Sequence, residues 1–168
     1  RLAALDPVTQ LSNRHRFDDY MKTVEQECQT SKTPLSLIMC TVDGFNGFNE
    51  TCGSQAGDQY LYHLAQVLKR SAQRPEDLVC RYGGVTFAVV LPGLDGAKAE
   101  AIAHQILEAF KPLKVNPSQG TEIPPVGLSV GVATVVPSGD GGIAPLIEKC
   151  DRALRTAREA GSNGLAIG

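Results

Sequence analysis

Residues 78–91 read LVCRYGGVTFAVVL, two β-rich runs joined by Gly83-Gly84. Tight hairpin turns need positive φ angles, which glycine adopts without a steric clash, so the glycine pair predicts a two-residue turn. In that register Tyr82 pairs with Val85 and Cys80 pairs with Phe87. Since paired residues share a face, these four side chains are predicted to line one side of the hairpin.

Predicted helices and strands alternate along the rest of the chain. The residues at 35–42 are almost all apolar, which is typical of a central strand buried on both faces. The other predicted strands are 127–135 and 165–167. The predicted helices are one that follows residue 14, then 57–71, 97–110 and 143–160. Residues 43–50 fit a loop or a short helix, and residues 114–125 fit an exposed loop.

This alternation, with one hairpin in the middle, is typical of an α/β (α+β) fold. We expect a mixed central β-sheet of about five strands with helices on both faces. The order of elements resembles the βαββαβ core of ferredoxin-like folds. Glycines within residues 127–135 indicate that another element packs closely on that strand.

The composition narrows the kinds of partner and the cellular location that we expect for this chain. The chain has 168 residues, of which 42% are hydrophobic, and this is enough for one domain with its own core. A net charge of −2 does not favour nucleic-acid binding, and no apolar run approaches the ~20 residues of a membrane-spanning helix. Five scattered cysteines without metal-ligand spacing favour reduced thiols in the cytoplasm, and a membrane-anchored parent protein is left open. We expect residues 1–14 to be a linker that leads in from an upstream region, and residues 15–168 to form a single domain.

Five stretches, in order and with matching gaps, resemble the motifs of one family. They are 6–14 (DPVTQLSNR, against D-x-L-T-G-L-x-N-R), 49–58 (NETCGSQAGD, against N-D-x-x-G-H-x-x-G-D), 81–84 (RYGG), 128–133 (LSVGVA) and 151–163 (DRALRTAREAGSN, against D-x-A-L-Y-x-A-K-x-x-G-R-N). Over nearly its whole length the chain resembles a GGDEF domain, the diguanylate cyclase module of bacterial signalling. The resemblance implies a nucleotidyl-cyclase-like version of the fold described above.

The resemblance also implies a reaction whose acidic residues this chain lacks. In active members two GTP-bound protomers form cyclic di-GMP, with Mg²⁺ or Mn²⁺ held by carboxylates and phosphates. The acidic positions of the family fall on Thr41, Val85 and Thr86. Asp43 is the remaining candidate for a metal ligand, after a shift of two residues. We therefore predict no catalytic residues, no metal site and no cofactor, with Mg²⁺ needed only if residual activity exists.

Residues that match the nucleotide-binding positions of the family are better preserved. Asn49 and Asp58 match the guanine-binding pair of the family motif. An amide and a carboxylate suit this role, because both can form hydrogen bonds with the edge of guanine. Arg158 stands for its phosphate-binding Lys, whereas Ser162 stands where the motif has Arg. The alternative for Asn49 or Asp58 is a helix cap.

A second nucleotide site is implied by Arg74 and Asp77. They match the R-x-x-D of the product-binding inhibitory site of the family, at the matching distance before Gly83-Gly84. Arginine offers a planar fork to phosphate or guanine, and aspartate accepts from guanine. The alternative is an exposed ion pair in a turn, which adds little to stability.

The leading hypothesis is therefore a catalytically degenerate GGDEF domain that senses GTP or cyclic di-GMP inside a larger signalling protein. Its partners would be the nucleotide, other domains of the same chain such as an EAL-type phosphodiesterase, and a second copy in a homodimer. One alternative is a residually active diguanylate cyclase that uses Asp43. The other is a structural or dimerisation module without a ligand.

Overall fold

The computed structural model describes residues 4–111, 126–139, 142–161 and 163–168. These residues form five helices and five strands. The helices are α1 (Arg14–Ser31), α2 (Phe45–Cys52), α3 (Ser54–Ser71), α4 (Gly96–Phe110) and α5 (Ala144–Glu159). The strands are β1 (Leu35–Asp43), β2 (Leu78–Gly83), β3 (Thr86–Pro92), β4 (Gly127–Val135) and β5 (Leu165–Ile167). The loop predicted at 114–125 lies outside the described residues, and none of the described helices is both long and apolar enough to cross a membrane.

The strands form one mixed sheet in the order β2-β3-β1-β4-β5. β1 is antiparallel to both β3 and β4, β2 is antiparallel to β3, and β5 is parallel to β4. β3 thus lies between β1 and β2, which are joined through α2 and α3. This is the split βαβ arrangement that the order of elements predicted, so the fold prediction is confirmed.

Helices cover both faces of the sheet because the strands alternate their apolar side chains between two cores. Ile38 and Cys40 of β1 belong to the core beneath α2, α3 and α4. Leu37 and Met39 belong to the core beneath α1 and α5. All of β1 except Asp43 is buried, as expected for a central strand covered on both sides.

The predicted register of the hairpin is wrong by one residue. Cys80 pairs with Ala88 rather than with Phe87, which pairs with Arg81. The pairing shifts between Arg81 and Gly83, where a bulge places one additional residue in β2. As a result Cys80 packs under α1 and α5, whereas Phe87 packs under α2, α3 and α4.

The bulge also moves the turn. Gly83 pairs with Thr86, so the two turn residues are Gly84 and Val85. Gly84 has a φ of 55°, in the left-handed region that favours glycine. Tyr82 and Val85 therefore do not pair, and they contact opposite cores.

The close packing predicted on the glycine-containing strand is present at Gly131. A Cβ atom on Gly131 would lie 2.5 Å from the backbone N of Leu154 and 2.7 Å from the backbone O of Cys150. Both atoms belong to the backbone of α5, which therefore lies directly on β4. This contact fixes the position of α5 relative to the ends of the strands.

Residues 4–13, which the sequence assigned to a linker, pack against the hairpin and lead directly into α1. Leu11 is buried beneath α2, α3 and α4, and the N–H of Arg81 donates to the carbonyl of Ser12 at 2.9 Å. The side chain of Asn13 accepts from the N–H of Arg16 and caps α1. The domain boundary at residue 14 stays a prediction.

Candidate functional site

The ends of three adjacent strands bring hydroxyl groups together beside the hairpin turn. Thr41 on β1 pairs with Thr86 on β3 and with Ser129 on β4. The hydroxyl of Thr86 donates to Oγ1 of Thr41 at 3.2 Å, and both Thr41 and Ser129 are buried. Because these hydroxyls are neutral at physiological pH, they supply hydrogen bonds but no negative charge.

Asp43, the last residue of β1, lies at the mouth of this cluster and is held from two sides. Its Oδ2 accepts a 2.6 Å hydrogen bond from Oγ of Ser129, and its Oδ1 lies 3.5 Å from Nε of Arg158 on α5. The side chain of Asp43 is 23% exposed and that of Arg158 is 56% exposed. The negative charge of Asp43 is thus already compensated by a hydroxyl and a guanidinium.

Two open pockets adjoin this ion pair. One, of about 310 Å³, is lined by residues 41–46, Val85 and Arg158. The other, of about 500 Å³, is lined by Asp43, Arg155, Arg158 and Glu159. Asp43 and Arg158 line both, so one ligand could extend from the strand ends along α5. Both volumes lie in the range of small-molecule sites.

The residues at the strand ends do not fit a pair of divalent metal ions. Mg²⁺ and Mn²⁺ prefer anionic oxygen ligands, whereas Thr41 and Thr86 are neutral and Val85 is a hydrocarbon. Across the part of the chain that the structure describes, no group of three or more His, Cys, Asp or Glu side chains could hold a metal ion. The N–H of Val42 donates to the carbonyl of Val85 at 3.1 Å, which holds the apolar side chain of Val85 beside the end of β1.

Asn49 and Asp58 lie on α2 and α3, on either side of the sharp turn at Gly53. Gly53 itself occupies both the C-cap of α2 and the N-cap of α3, so the alternative interpretation of Asn49 or Asp58 as helix caps is wrong. Asp58 is exposed. Oδ1 of Asn49 is buried and accepts no hydrogen bond from the described residues. It lies against Gly57, where a Cβ atom would be only 1.8 Å from it.

Arg74 and Asp77 are bonded to each other across a turn before β2. Nε and Nη2 of Arg74 donate to Oδ1 of Asp77 at 3.0 and 2.6 Å, and the backbone N–H of Arg74 donates to Oδ2 at 3.0 Å. Nη2 also donates to the carbonyl of Pro92, and Nη1 lies 3.0 Å from Oε1 of Glu76. The geometry matches the ion-pair alternative, except that the carboxylate of Asp77 is only 2% exposed. The pair fastens the start of β2 to the end of β3, and a ligand role for it stays a prediction.

A contact that the sequence analysis missed holds the hairpin turn from the N-terminal side. Nε of Arg81 donates to the carbonyl of Gly84 at 2.9 Å, and its Nη1 donates to Oδ2 of Asp6 at 3.2 Å. Burial raises the pKa of Asp6, but hydrogen bonds from Thr9 and the charge of Arg81 outweigh that effect, so its pKa lies below the usual value. The D-x-x-T spacing of residues 6–9 could have indicated the hydrogen bonds from Thr9 to Asp6. The bond from Arg81 could not be predicted in this way, because Arg81 lies 75 residues away in the sequence.

Arg155 is a second site residue that the sequence analysis missed. It lines the larger pocket together with Arg158, one helical turn further along α5. The signal was present, because Arg155 stands where the motif quoted for residues 151–163 has Tyr. Ser162, which stands where that motif has Arg, lies outside the described residues.

In a comparison with protein families, residues 3–164 of the chain match the family described as "Diguanylate cyclase, GGDEF domain". The chain is 30% identical to the probable diguanylate cyclase DgcT of Escherichia coli (strain K12), over 99% of this chain and 36% of that protein. It is also 30% identical to the response regulator PleD of Caulobacter vibrioides, over 98% of this chain and 36% of that protein. The chain thus spans about a third of the length of these curated relatives.

Among solved structures, the GGDEF domain of DgcB from Caulobacter crescentus, in complex with c-di-GMP, superposes with a TM-score of 0.90. The two chains are 28% identical, and the match covers 99% of this chain and 94% of the other.

Proposed function

The chain belongs to the GGDEF family of diguanylate cyclase domains, and on this basis we propose that it is a catalytically degenerate member that senses a nucleotide in cyclic di-GMP signalling. Its role would be regulatory: a bound nucleotide would change the state of other domains in the same protein. Because the chain spans about a third of its curated relatives, such domains, including an EAL-type phosphodiesterase, belong to the proposal. So do a cytoplasmic location and a homodimer.

The observation that carries the proposal is the loss of negative charge at the strand ends. The three positions where active relatives are expected to have acids are Thr41, Val85 and Thr86, and the two threonines bond each other. Loss of one preorganised electrostatic group typically lowers a rate by ~10²–10³. Loss of all the expected carboxylates would leave the triphosphate uncompensated by metal and the attacking hydroxyl unactivated.

GTP is the favoured ligand because the groups expected to bind its two ends are present. The buried Oδ1 of Asn49 lacks a partner within the described residues, whereas most buried polar atoms are hydrogen-bonded, so this oxygen is left to accept a hydrogen bond from a ligand. Asp58 adds an exposed carboxylate on the neighbouring helix, and Arg158 adds a cation beside both pockets. Cyclic di-GMP at Arg74 and Asp77 is less favoured, because a ligand would first have to displace the bonds between them.

Two assays on the purified domain test the proposal. Incubation with GTP and Mg²⁺ or Mn²⁺ should yield no cyclic di-GMP, with an active family member as the positive control. In a thermal unfolding assay, GTP at 100 times its dissociation constant should stabilise the domain by about 2.7 kcal/mol. Clear formation of cyclic di-GMP would reject degeneracy. The absence of any shift with GTP, GDP or cyclic di-GMP would favour a structural module without a ligand.

A second candidate function is residual diguanylate cyclase activity through Asp43. The favouring observation is that its carboxylate lies at the mouth of both pockets. This candidate predicts that Asp43→Ala abolishes metal-dependent GTP binding, whereas unchanged affinity in Mg²⁺ would exclude it.

A further inference from the structure

We infer that Arg158 takes the place of a divalent cation in this domain, lying between Asp43 and the phosphates of a nucleotide, with Arg155 as an additional phosphate-binding residue. Nucleotide binding would then require no Mg²⁺ or Mn²⁺. This assignment deepens the proposed GTP site and rests on it.

The first support is the arrangement of Asp43, Ser129 and Arg158. A metal in such a site would bond the carboxylate on one side and phosphate oxygens on the other. Here the guanidinium of Arg158 already lies on the carboxylate, 3.5 Å from Oδ1, while Ser129 donates to Oδ2. The position that a cation would take beside Asp43 is therefore filled by a cation of the chain itself.

The second support is the number of donors on Arg158. A guanidinium carries five N–H donors in a planar fork, and a carboxylate takes at most two of them. The remaining donors can reach a ligand, because Arg158 is 56% exposed and lines both pockets. One arginine can therefore bridge a carboxylate and a phosphate, whereas a lysine, with a compact ammonium group, cannot offer the same fork.

The third support is the position of Arg155. It lies three residues before Arg158 on α5, so the two side chains project from the same side of the helix into the larger pocket. Its Nε lies 3.5 Å from Oδ2 of Asp151 in an ion pair, and both side chains are exposed. Exposed helical pairs contribute only about 0.3–0.5 kcal/mol, so a phosphate can compete for Arg155.

Carboxylates in the same pockets should limit the affinity for a nucleotide. The negative charge of Asp43 is offset by its contacts with Arg158 and Ser129. Glu159 also lines the larger pocket, and its side chain is exposed. Glu159 would repel a polyphosphate that arrives without a metal ion. Replacement of Glu159 by Gln should therefore strengthen GTP binding in the absence of metal.

The test is calorimetric titration of the purified domain with GTP, once in Mg²⁺ and once in EDTA. The dissociation constants in the two buffers should agree within about threefold. Arg158→Ala and Arg155→Ala should each weaken binding in EDTA by about tenfold or more, as for loss of a charge-assisted hydrogen bond. Arg158→Lys should recover only part of the loss. Arg152→Ala is the matched control, since Arg152 is an exposed cation on α5 that lines neither pocket.

The outcomes separate this assignment from the proposed function. GTP binding that needs Mg²⁺, or that survives both Arg158→Ala and Arg155→Ala, would overturn the assignment and leave a GTP-sensing domain intact. Equal losses in Arg152→Ala would also overturn it, because they would indicate a general effect of charge. The absence of GTP binding in both buffers would reject the proposed GTP site itself. Thermal unfolding of each variant without ligand verifies that it is folded.

Discussion

At the scale of single residues, Asn49 and Gly57 form a contact that links helix packing to the proposed GTP site. The amide of Asn49 keeps a buried oxygen that has no partner among the described residues, which costs about 1–3 kcal/mol of stability. It can lie against α3 only because residue 57 has no Cβ. The motif showed that Asn49 and Gly57 are both present, but spacing alone could not show that one makes room for the other.

Gly57→Ala should separate stability from binding. Alanine is favoured over glycine inside a helix by about 1 kcal/mol, but its Cβ would displace the amide of Asn49. We expect the melting temperature to change little, because the short Asn49 side chain can rotate away. GTP affinity should fall by about tenfold, as for the loss of one or two hydrogen bonds. A variant that binds GTP as tightly as the parent would contradict a role for Asn49 in base recognition.

Asp6 gives a prediction about pH at the same scale. Its pKa is lowered in the folded state, so it contributes stability that is present above the pKa of the unfolded chain and is lost as the pH falls through the folded pKa. Asp6→Asn should therefore reduce the free energy of unfolding at pH 7 by about 1.5 kcal/mol, in line with the loss of hydrogen bonds to a charged group. The difference between variant and parent should vanish in acid, below both pKa values. Urea unfolding at several pH values measures the difference in free energy of unfolding between Asp6→Asn and the parent. A difference that is the same at pH 3 as at pH 7 would contradict this account.

At the scale of elements, the contact between α5 and β4 positions the arginines of the site. Gly131→Ala should be destabilising by about 1–3 kcal/mol, because the new Cβ would meet backbone atoms of α5 that no rotamer change can move. Since α5 must shift, GTP affinity should fall in the same variant. Gly83→Ala is a suitable control, because a Cβ there meets no atom within 4 Å. Equal unfolding midpoints for Gly131→Ala and the parent would rule out this packing.

The turn of Arg74 and Asp77 makes a second prediction for an element. Arg74→Ala should lower the free energy of unfolding by about 1.5–3 kcal/mol in the absence of any nucleotide, because Asp77 is buried and loses its charged partner. A site used only for ligand binding would leave the stability of the free domain unchanged. Unfolding curves recorded without nucleotide decide between the two roles.

The helices and strands could be predicted from the sequence largely because apolar periodicity determines them. The register of the hairpin could not, because two neighbouring glycines allow the turn at Gly83-Gly84 or at Gly84-Val85. The choice depends on a bulge at Tyr82, whose ring packs edge-on against Phe17 of α1 at 5.2 Å. Such a contact between distant residues leaves no local signal.

At the scale of the whole molecule, the chain has the fold of the GGDEF family, whereas the positions at which acids are expected hold Thr41, Val85 and Thr86. Of the residues that the resemblance indicated, Thr41 and Arg158 line one pocket, and Thr86 pairs with Thr41, but their function stays a prediction. The resemblance could not predict that Asp43 is held by Ser129 and Arg158, or that Arg155 joins them. Those contacts depend on how α5 lies on the sheet.

Anomalous scattering from crystals grown with a non-hydrolysable GTP analogue and Mn²⁺ would locate any metal ion in this domain. We predict density for the nucleotide, with its phosphates against Arg155 and Arg158, and no manganese peak beside Thr41 and Val85. Ordered manganese ions bound at those two residues would contradict the proposal that this domain has lost its metal site.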